Sequence, residues 1–281
     1  MSTTGAAAEG AGGFTALVLA GRRSADDASA RFEGSAHRAL LEVRGVPMLL
    51  RVVRTLRACP SVAAVRVSID VPAALAAVPE LAQLAAAGAL GLHQSLASPS
   101  RSAEDALRAL PEPTRVLVTT ADHPLLSPRI VEHFLAGAGE GAGASAAEAD
   151  VLVGLVPAEV VRARYPESVR TYLRLRAGAF SGANLFAFLT PTARRAAAFW
   201  VRAEQFRKRP WRLASVFGPA ALLLYAVGRL DLDAALERVS RAMGVRVRAV
   251  LLPYAEAAID VDRPADLALA ERILRDVGLP R

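Results

Sequence analysis

The chain is 281 residues long, 53% hydrophobic and 22% charged, which excludes a disordered or fibrous protein and leaves room for one large core or two modest ones. A single cysteine, Cys59, excludes an internal disulfide framework and fits a reducing cytoplasm. The formal net charge of +7 points to an anionic partner such as a nucleotide, a sugar phosphate, nucleic acid or a membrane surface. Lys208 is the only lysine, however, and alanine is abundant, so a coding bias accounts for the charge equally well.

Residues 1–13 are rich in Ala and Gly with no basic region or long apolar core, and read as a disordered tail rather than a secretory or transit signal. Residues 14–20 (FTALVLA) form a continuous apolar run, the pattern of a strand buried on both faces of a parallel sheet. A polar loop covers 21–35, and 38–43 reads as a short strand or turn. Pro47 stands where a helix begins, and Leu49, Val52, Val53 and Leu56 share one face of that helix to residue 58. A second strand follows at 62–69, then helices at 75–87 and 103–110, a central strand at 115–120 (RVLVTT), and a helix from Pro128 to 135.

The Gly- and Ala-rich stretch 136–149 reads as a link. Beyond it come a strand at 151–156, a Ser181-Gly182-Ala183-Asn184 turn inside 180–188, and a helix at 192–202. A basic, aromatic patch covers 206–212. The apolar run 219–227 is far short of the roughly 20 residues that span a bilayer, and is expected as a buried helix. A helix at 231–243, a strand at 245–252 and a closing helix at 264–277 complete the chain. Strands alternating with helices imply an α/β domain over 14–281, with a mostly parallel central sheet and helices on both faces.

Three constellations carry candidate chemistry. The first is Leu19-Ala20-Gly21-Arg22-Arg23, where the buried strand ends in a glycine and then arginines. The carboxyl ends of parallel strands face the ligand crevice, a glycine there lets backbone approach a phosphate, and Arg22, Arg23 and Arg31 add positive charge; an ordinary turn would look the same. The second is Thr119-Thr120-Ala121-Asp122-His123-Pro124. A carboxylate at the end of a central strand can hold Mg²⁺ through oxygen, or cap a helix; His123 reads as a loop-orienting residue. The third is Asp260-Val261-Asp262-Arg263-Pro264-Ala265-Asp266. Its first two acids are expected on opposite sides of an extended segment, so that one alone enters the crevice. Asp262 has a helix N-cap as its alternative role, and Asp266, in the first helical turn, reads as structural.

In their order and spacing these motifs resemble the MobA-like (molybdenum-cofactor guanylyltransferase-like) NTP transferase family. His37-Arg38-Ala39-Leu40-Leu41 and Gly45-Val46-Pro47-Met48-Leu49 match its second element. The resemblance covers about 14–135 and 257–274, and only Ser181-Gly182-Ala183-Asn184 in between. It implies a three-layer, Rossmann-like (GT-A-like) nucleotidyltransferase fold, Mg²⁺ dependence and release of pyrophosphate. It also implies residue roles. Leu19, Ala20, Gly21, Arg22 and Arg23 match the nucleotide loop, and Arg38 the family's phosphate-binding lysine. Asp122 matches the metal ligand, and Asp262 the second ligand, with Asp260 as the fallback. Ser100, Arg101 and Ser102, which precede a helix, are similar to a nucleobase-contacting segment. Arg22, Arg38 and Asp122 are then the catalytic set, and Asn184 an acceptor contact in a variable region at about 157–245.

The sequence departs from the pattern in lacking the second loop glycine, where Arg22 stands, and in carrying Arg38 for lysine. Arginine is a planar fork where lysine is a compact ammonium. These departures motivate a catalytically degenerate nucleotide-binding regulator as one alternative, and a nucleotide-sugar glycosyltransferase is another. The partners implied are an NTP and a small-molecule acceptor. Nucleic acid is not expected, because aromatic content is only 5% and no nucleic-acid motif is present. The Arg207-Lys208-Arg209 cluster is a candidate acceptor-phosphate or peripheral membrane contact, or a solvated turn.

Overall fold

The computed structural model describes residues 13–21, 37–138, 149–206 and 218–276. Strand β1 (Phe14–Leu19) is buried at every position. It pairs in parallel with β4 (Val62–Ile69) on one side and β6 (Val116–Thr120) on the other. The main sheet runs β10 (Val247–Leu251), β7 (Val151–Pro157), β9 (Gly178–Phe188), β6, β1, β4, β5 (Gly91–Gln94), with β8 (Leu173–Leu175) pairing β9. Among the described strands of this sheet β9 alone runs against the others: it lies antiparallel between β6 and β7, and antiparallel to β8.

The period of two in β1 divides the core. Ala16 and Val18 face one side, against Leu49, Val52, Val53 and Leu56 of α1 (Met48–Arg57) and Ile130, Val131 and Phe134 of α4 (Pro128–Ala136). Leu17 and Leu19 face the other, against Ala103, Ala106 and Leu107 of α3 (Pro99–Arg108) and Ala196 and Ala197 of α6 (Arg194–Phe206). Helices therefore cover both faces of the sheet, as the alternation of elements implied. A third cluster packs α9 (Pro264–Asp276) against Met48, Val43, Ile259 and Val261.

Several local expectations need correction. The 75–87 helix is a 3-10 turn (Pro72–Ala77) followed by α2 (Pro79–Ala86). Residues 180–188 form no turn. They belong to an 11-residue strand, and the irregularity read as a turn is a register shift opposite Val153–Leu155 with Asn184 at φ 51°. Helix α3 starts at Pro99, with Ser98 as N-cap, so Ser100 to Ser102 lie in its first turn rather than before it. The run 219–227 holds α7 (Pro219–Ala226), but it is not buried: Leu223 is 65% and Val227 56% exposed. Strands β5 and β8 and helix α5 (Ala158–Arg164) have no counterpart in the expected elements. Helix α8 (Leu232–Met243) matches its expected place.

Candidate active site

The carboxyl ends of β1, β4, β5 and β6 lie along one edge of the sheet. Gly21 leaves β1, Asp70 leaves β4, Ser95 follows β5 and Asp122 follows β6. Ala20 N–H is taken by Ser68 O at 2.8 Å, and Leu19 O accepts Ala121 N–H at 3.0 Å, so the strand registry holds the start of the nucleotide loop. Gly21 packs so closely on Ser95 that a Cβ would stand 2.8 Å from Ser95 Cβ. Here the glycine is required by close approach of another segment. Arg22 and Arg23 lie outside the described residues, as do Arg31 and the Arg207-Lys208-Arg209 cluster.

Arg38 opens the 3-10 turn Arg38–Leu40. The chain then makes a two-residue hairpin turn at Arg44 and Gly45, both with positive φ, between β2 (Glu42–Val43) and β3 (Val46–Pro47), and this leads into α1. The Arg38 guanidinium reaches across the crevice. Its Nη2 donates to Val261 O at 2.9 Å and to the Asp262 carboxylate, and lies 3.6 Å from Asp122 Oδ2. Three residues that are far apart in sequence therefore meet at one point.

Asp122 is mostly buried. Among the described residues its Oδ1 has no hydrogen-bond partner, while its backbone carbonyl accepts Val261 N–H at 2.9 Å. His123 is 1% exposed and ties the same loop to the late segment, its Nε2 donating to Ala257 O at 2.9 Å. Burial holds its pKa below the ordinary histidine value, against the opposing pull of Asp122, so the ring is neutral. This is the orienting role expected of it.

The expectation that Asp260 and Asp262 face opposite sides is wrong. Residues two apart in an extended chain share a face. Both line one cavity of about 740 Å³, while the alternate residues Ile259 and Val261 are fully buried. Burial, then the negative charges of Asp122 and Asp262, push the Asp260 carboxyl up to about 6, with Arg170 pulling the other way. Asp262 is not the N-cap carboxylate of α9. Asp266, 3% exposed and third in the helix, instead reaches back to the residues before it: its Oδ2 accepts Arg263 N–H at 2.9 Å and Asp262 N–H at 3.3 Å.

The cavity continues over β9 and the segment before β8. Asn184 lines it and donates from Nδ2 to Asp260 Oδ2 at 3.3 Å. Arg170 also lines it, with a side chain 6% exposed. Its Nη1 bonds Asp260, its Nη2 donates to Asp266 Oδ1 at 2.6 Å, and its Nε to Ser168 Oγ at 2.9 Å. Nothing in the sequence around Arg170 marked it. It has no motif neighbours, and only the fold brings it to the two acids. Ser100 and Ser102 are buried and bonded within the protein: Ser100 Oγ donates to Glu204, and Ser102 Oγ to Ser98 O at 2.9 Å. Arg101 between them is exposed. The three do not reach the Arg38–Asp122–Asp262 cluster through any described contact.

These groups suit Mg²⁺. The hard carboxylate oxygens of Asp122, Asp260 and Asp262 crowd one region, where burial and the mutual repulsion of the acids raise the Asp260 carboxyl and Asp122 Oδ1 has no hydrogen-bond partner among the described residues. Among the described residues no three such side chains converge on one point, so phosphate oxygens and water would complete the coordination, as is usual for this ion. No helix of the described residues is long and apolar enough to cross a membrane.

A sequence model of the MobA-like NTP transferase domain matches residues 16–186. No curated protein matches the chain. A solved structure described as a hypothetical transferase from Thermus thermophilus is similar at 34% identity and a TM-score of 0.73, over 91% of this chain and 99% of that one. Two more distant structures share the fold. CMP:2-keto-3-deoxy-manno-octonic acid synthetase, complexed with CTP, is 16% identical with a TM-score of 0.52, and 4-diphosphocytidyl-2C-methyl-D-erythritol synthase from Anaerococcus prevotii is 12% identical with a TM-score of 0.56. Each match covers 94% of this chain and 99% of the other. The ordered motifs, the Rossmann-like sheet and the match over 16–186 converge, and the chain belongs to the MobA-like NTP transferase domain family as a nucleotidyltransferase.

Proposed function

We propose that the protein transfers an NMP group from an NTP to a phosphate or hydroxyl oxygen of a small acceptor. The acceptor oxygen forms a bond to the α-phosphorus as the bond to the bridging oxygen of the β-phosphate breaks, and pyrophosphate leaves. The observation that carries this reading is Arg38 set between Asp122 and Asp262 at the carboxyl end of the sheet. In that setting Arg38 neutralises phosphate charge, and the backbone after Gly21 at the end of β1 would lie along the phosphates. No protein nucleophile is needed, because positioning and charge stabilisation carry most of such a step. Asp122, with Asp262 and Asp260 beside it, would hold Mg²⁺. When bound, the ion adds charge neutralisation at the phosphates. The cavity beyond Asp260, lined by Asn184, Arg170 and Phe180, is the proposed acceptor site in the variable region at about 157–245. Arg22 and Arg23 belong to the proposed nucleotide loop.

Thermal shift with each of the four NTPs, with and without Mg²⁺, tests the reading. A ligand at 100 times its dissociation constant stabilises the protein by about 2.7 kcal/mol. One NTP should give a Mg²⁺-dependent shift, and Asp122→Asn should abolish the metal dependence while preserving the melting transition. No shift with any of the four sinks the proposal.

A further inference from the structure

His37 lies outside the catalytic and nucleotide-contacting residues proposed above, yet it is 2% exposed and hydrogen-bonded through both ring nitrogens. It is the N-cap of the turn that carries Arg38: its Nδ1 accepts Ala39 N–H at 3.2 Å. An atom facing an N–H must present a lone pair, so in the neutral ring the proton sits on Nε2 and is donated to Asp70 Oδ1 at 2.8 Å. One tautomer satisfies both contacts. The ring thereby bridges the residue after β4 to the backbone N–H of Ala39 in the turn.

The geometry points to His37 as a positioning residue that acts through Arg38. The backbone at His37 is extended, with φ −153° and ψ 133°, and turns sharply at Arg38. An arginine has many rotamers, and its fork reaches Val261 O and the Asp262 and Asp122 carboxylates only if its Cα is held in place. Arg38 Cα belongs to the short turn that His37 caps. Short 3-10 turns have poor hydrogen-bond geometry of their own and depend on such caps. Asp70 fixes the ring, the ring fixes the turn, and the turn aims the guanidinium. This inference rests on the reading of Arg38 as the group that meets NTP phosphate.

The experiment is calorimetric binding of the NTP that gives the largest thermal shift, in parallel with its nucleoside, which has no phosphate. His37→Ala should weaken NTP binding about fivefold, the equilibrium cost of a lost N-cap, and leave nucleoside binding unchanged. His37→Asn, whose amide oxygen can cap Ala39 N–H, should recover NTP affinity to within about twofold of wild type. A merely structural role would move nucleoside and NTP affinity together. Asp70→Ala, a change at a partly exposed side chain, should lower the same NTP-to-nucleoside ratio and supplies the readout if His37→Ala does not fold. Arg38→Met separates the two claims. If it leaves NTP affinity intact, the reading of Arg38 falls. If it weakens NTP binding while His37→Ala and Asp70→Ala leave the ratio unchanged, or while His37→Asn falls as far as His37→Ala, the positioning role is overturned.

Discussion

Gly21→Ala tests how the end of β1 is held against its neighbours. A Cβ at Gly21 would stand 2.8 Å from Ser95 Cβ and closer still to Ser95 Oγ, where carbon atoms prefer roughly 3.5–4.0 Å. Ser95 Oγ can rotate away, but Ser95 Cβ cannot, because Ser95 N–H is bonded to Ile69 O at 3.0 Å and extends the β4–β5 registry. The loop after β1 must therefore shift. Overpacking of this kind costs about 1–3 kcal/mol. For a chain of this size each kcal/mol lowers the melting temperature by roughly 2–4 °C, so the fall should lie between roughly 2 and 12 °C. Differential scanning calorimetry of Gly21→Ala, Ser95→Gly and the double variant closes a thermodynamic cycle. Ser95→Gly removes both clashing atoms, so the coupling should be favourable by about 1 kcal/mol or more. Ser95→Ala keeps the Cβ and should recover less. If Gly21→Ala melts with wild type, or Ser95→Gly gives no recovery, the close approach is not a feature of the folded protein.

Protonation of Asp260 links stability to pH. Its folded-state pKa is raised to about 6 from a usual value near 4, so the folded state binds the proton more tightly. That stabilising contribution is full below about 4 and is lost as pH rises towards 6. Asp260→Asn should flatten the fall in melting temperature across this window, and an unchanged slope would refute the assignment. Arg170→Gln should destabilise the fold by about 3–5 kcal/mol, because Asp260 and Asp266 lose a buried partner. Chemical denaturation measures this, and a loss below 1 kcal/mol would show that water replaces the arginine there.

The parts of the fold written in local pattern were legible. The apolar run of β1, the amphipathic face of α1 and the proline-led starts of α4 and α9 each follow from a short stretch of chain. Failures came where tertiary context decides. The register shift opposite Val153–Leu155 looks like a turn in sequence because Gly182 and Asn184 suit either. The apolar α7 looks buried, but its Leu223 and Tyr225 are exposed, which composition alone does not reveal. The misassignment of Asp260 was of another kind. Its sequence pattern held the answer, since a period of two places Asp260 and Asp262 together. Of the candidate site, Arg38, Asp122, Asp260 and Asp262 were legible through motif order and do cluster. Arg170 and the His37–Asp70 bridge were not, because their partners lie on other elements of the fold.

The crevice is closed by residues from opposite ends of the chain. Arg38 and Asp262 are 224 positions apart, and the Asp122 loop is tied to Val261, near the last helix. At about 5–20 residues per second, a ribosome releases Asp262 roughly 10 to 45 seconds after Arg38. In that interval β1, β4 and β6 can pair, but the arginine cannot yet meet Val261 or Asp262. Under the proposed function, the capacity to hold a nucleotide at this edge is thus a late event in the life of the polypeptide. A chain cut short before residue 260 would keep the strands of its sheet while lacking Asp260 and Asp262, two acids of the proposed site.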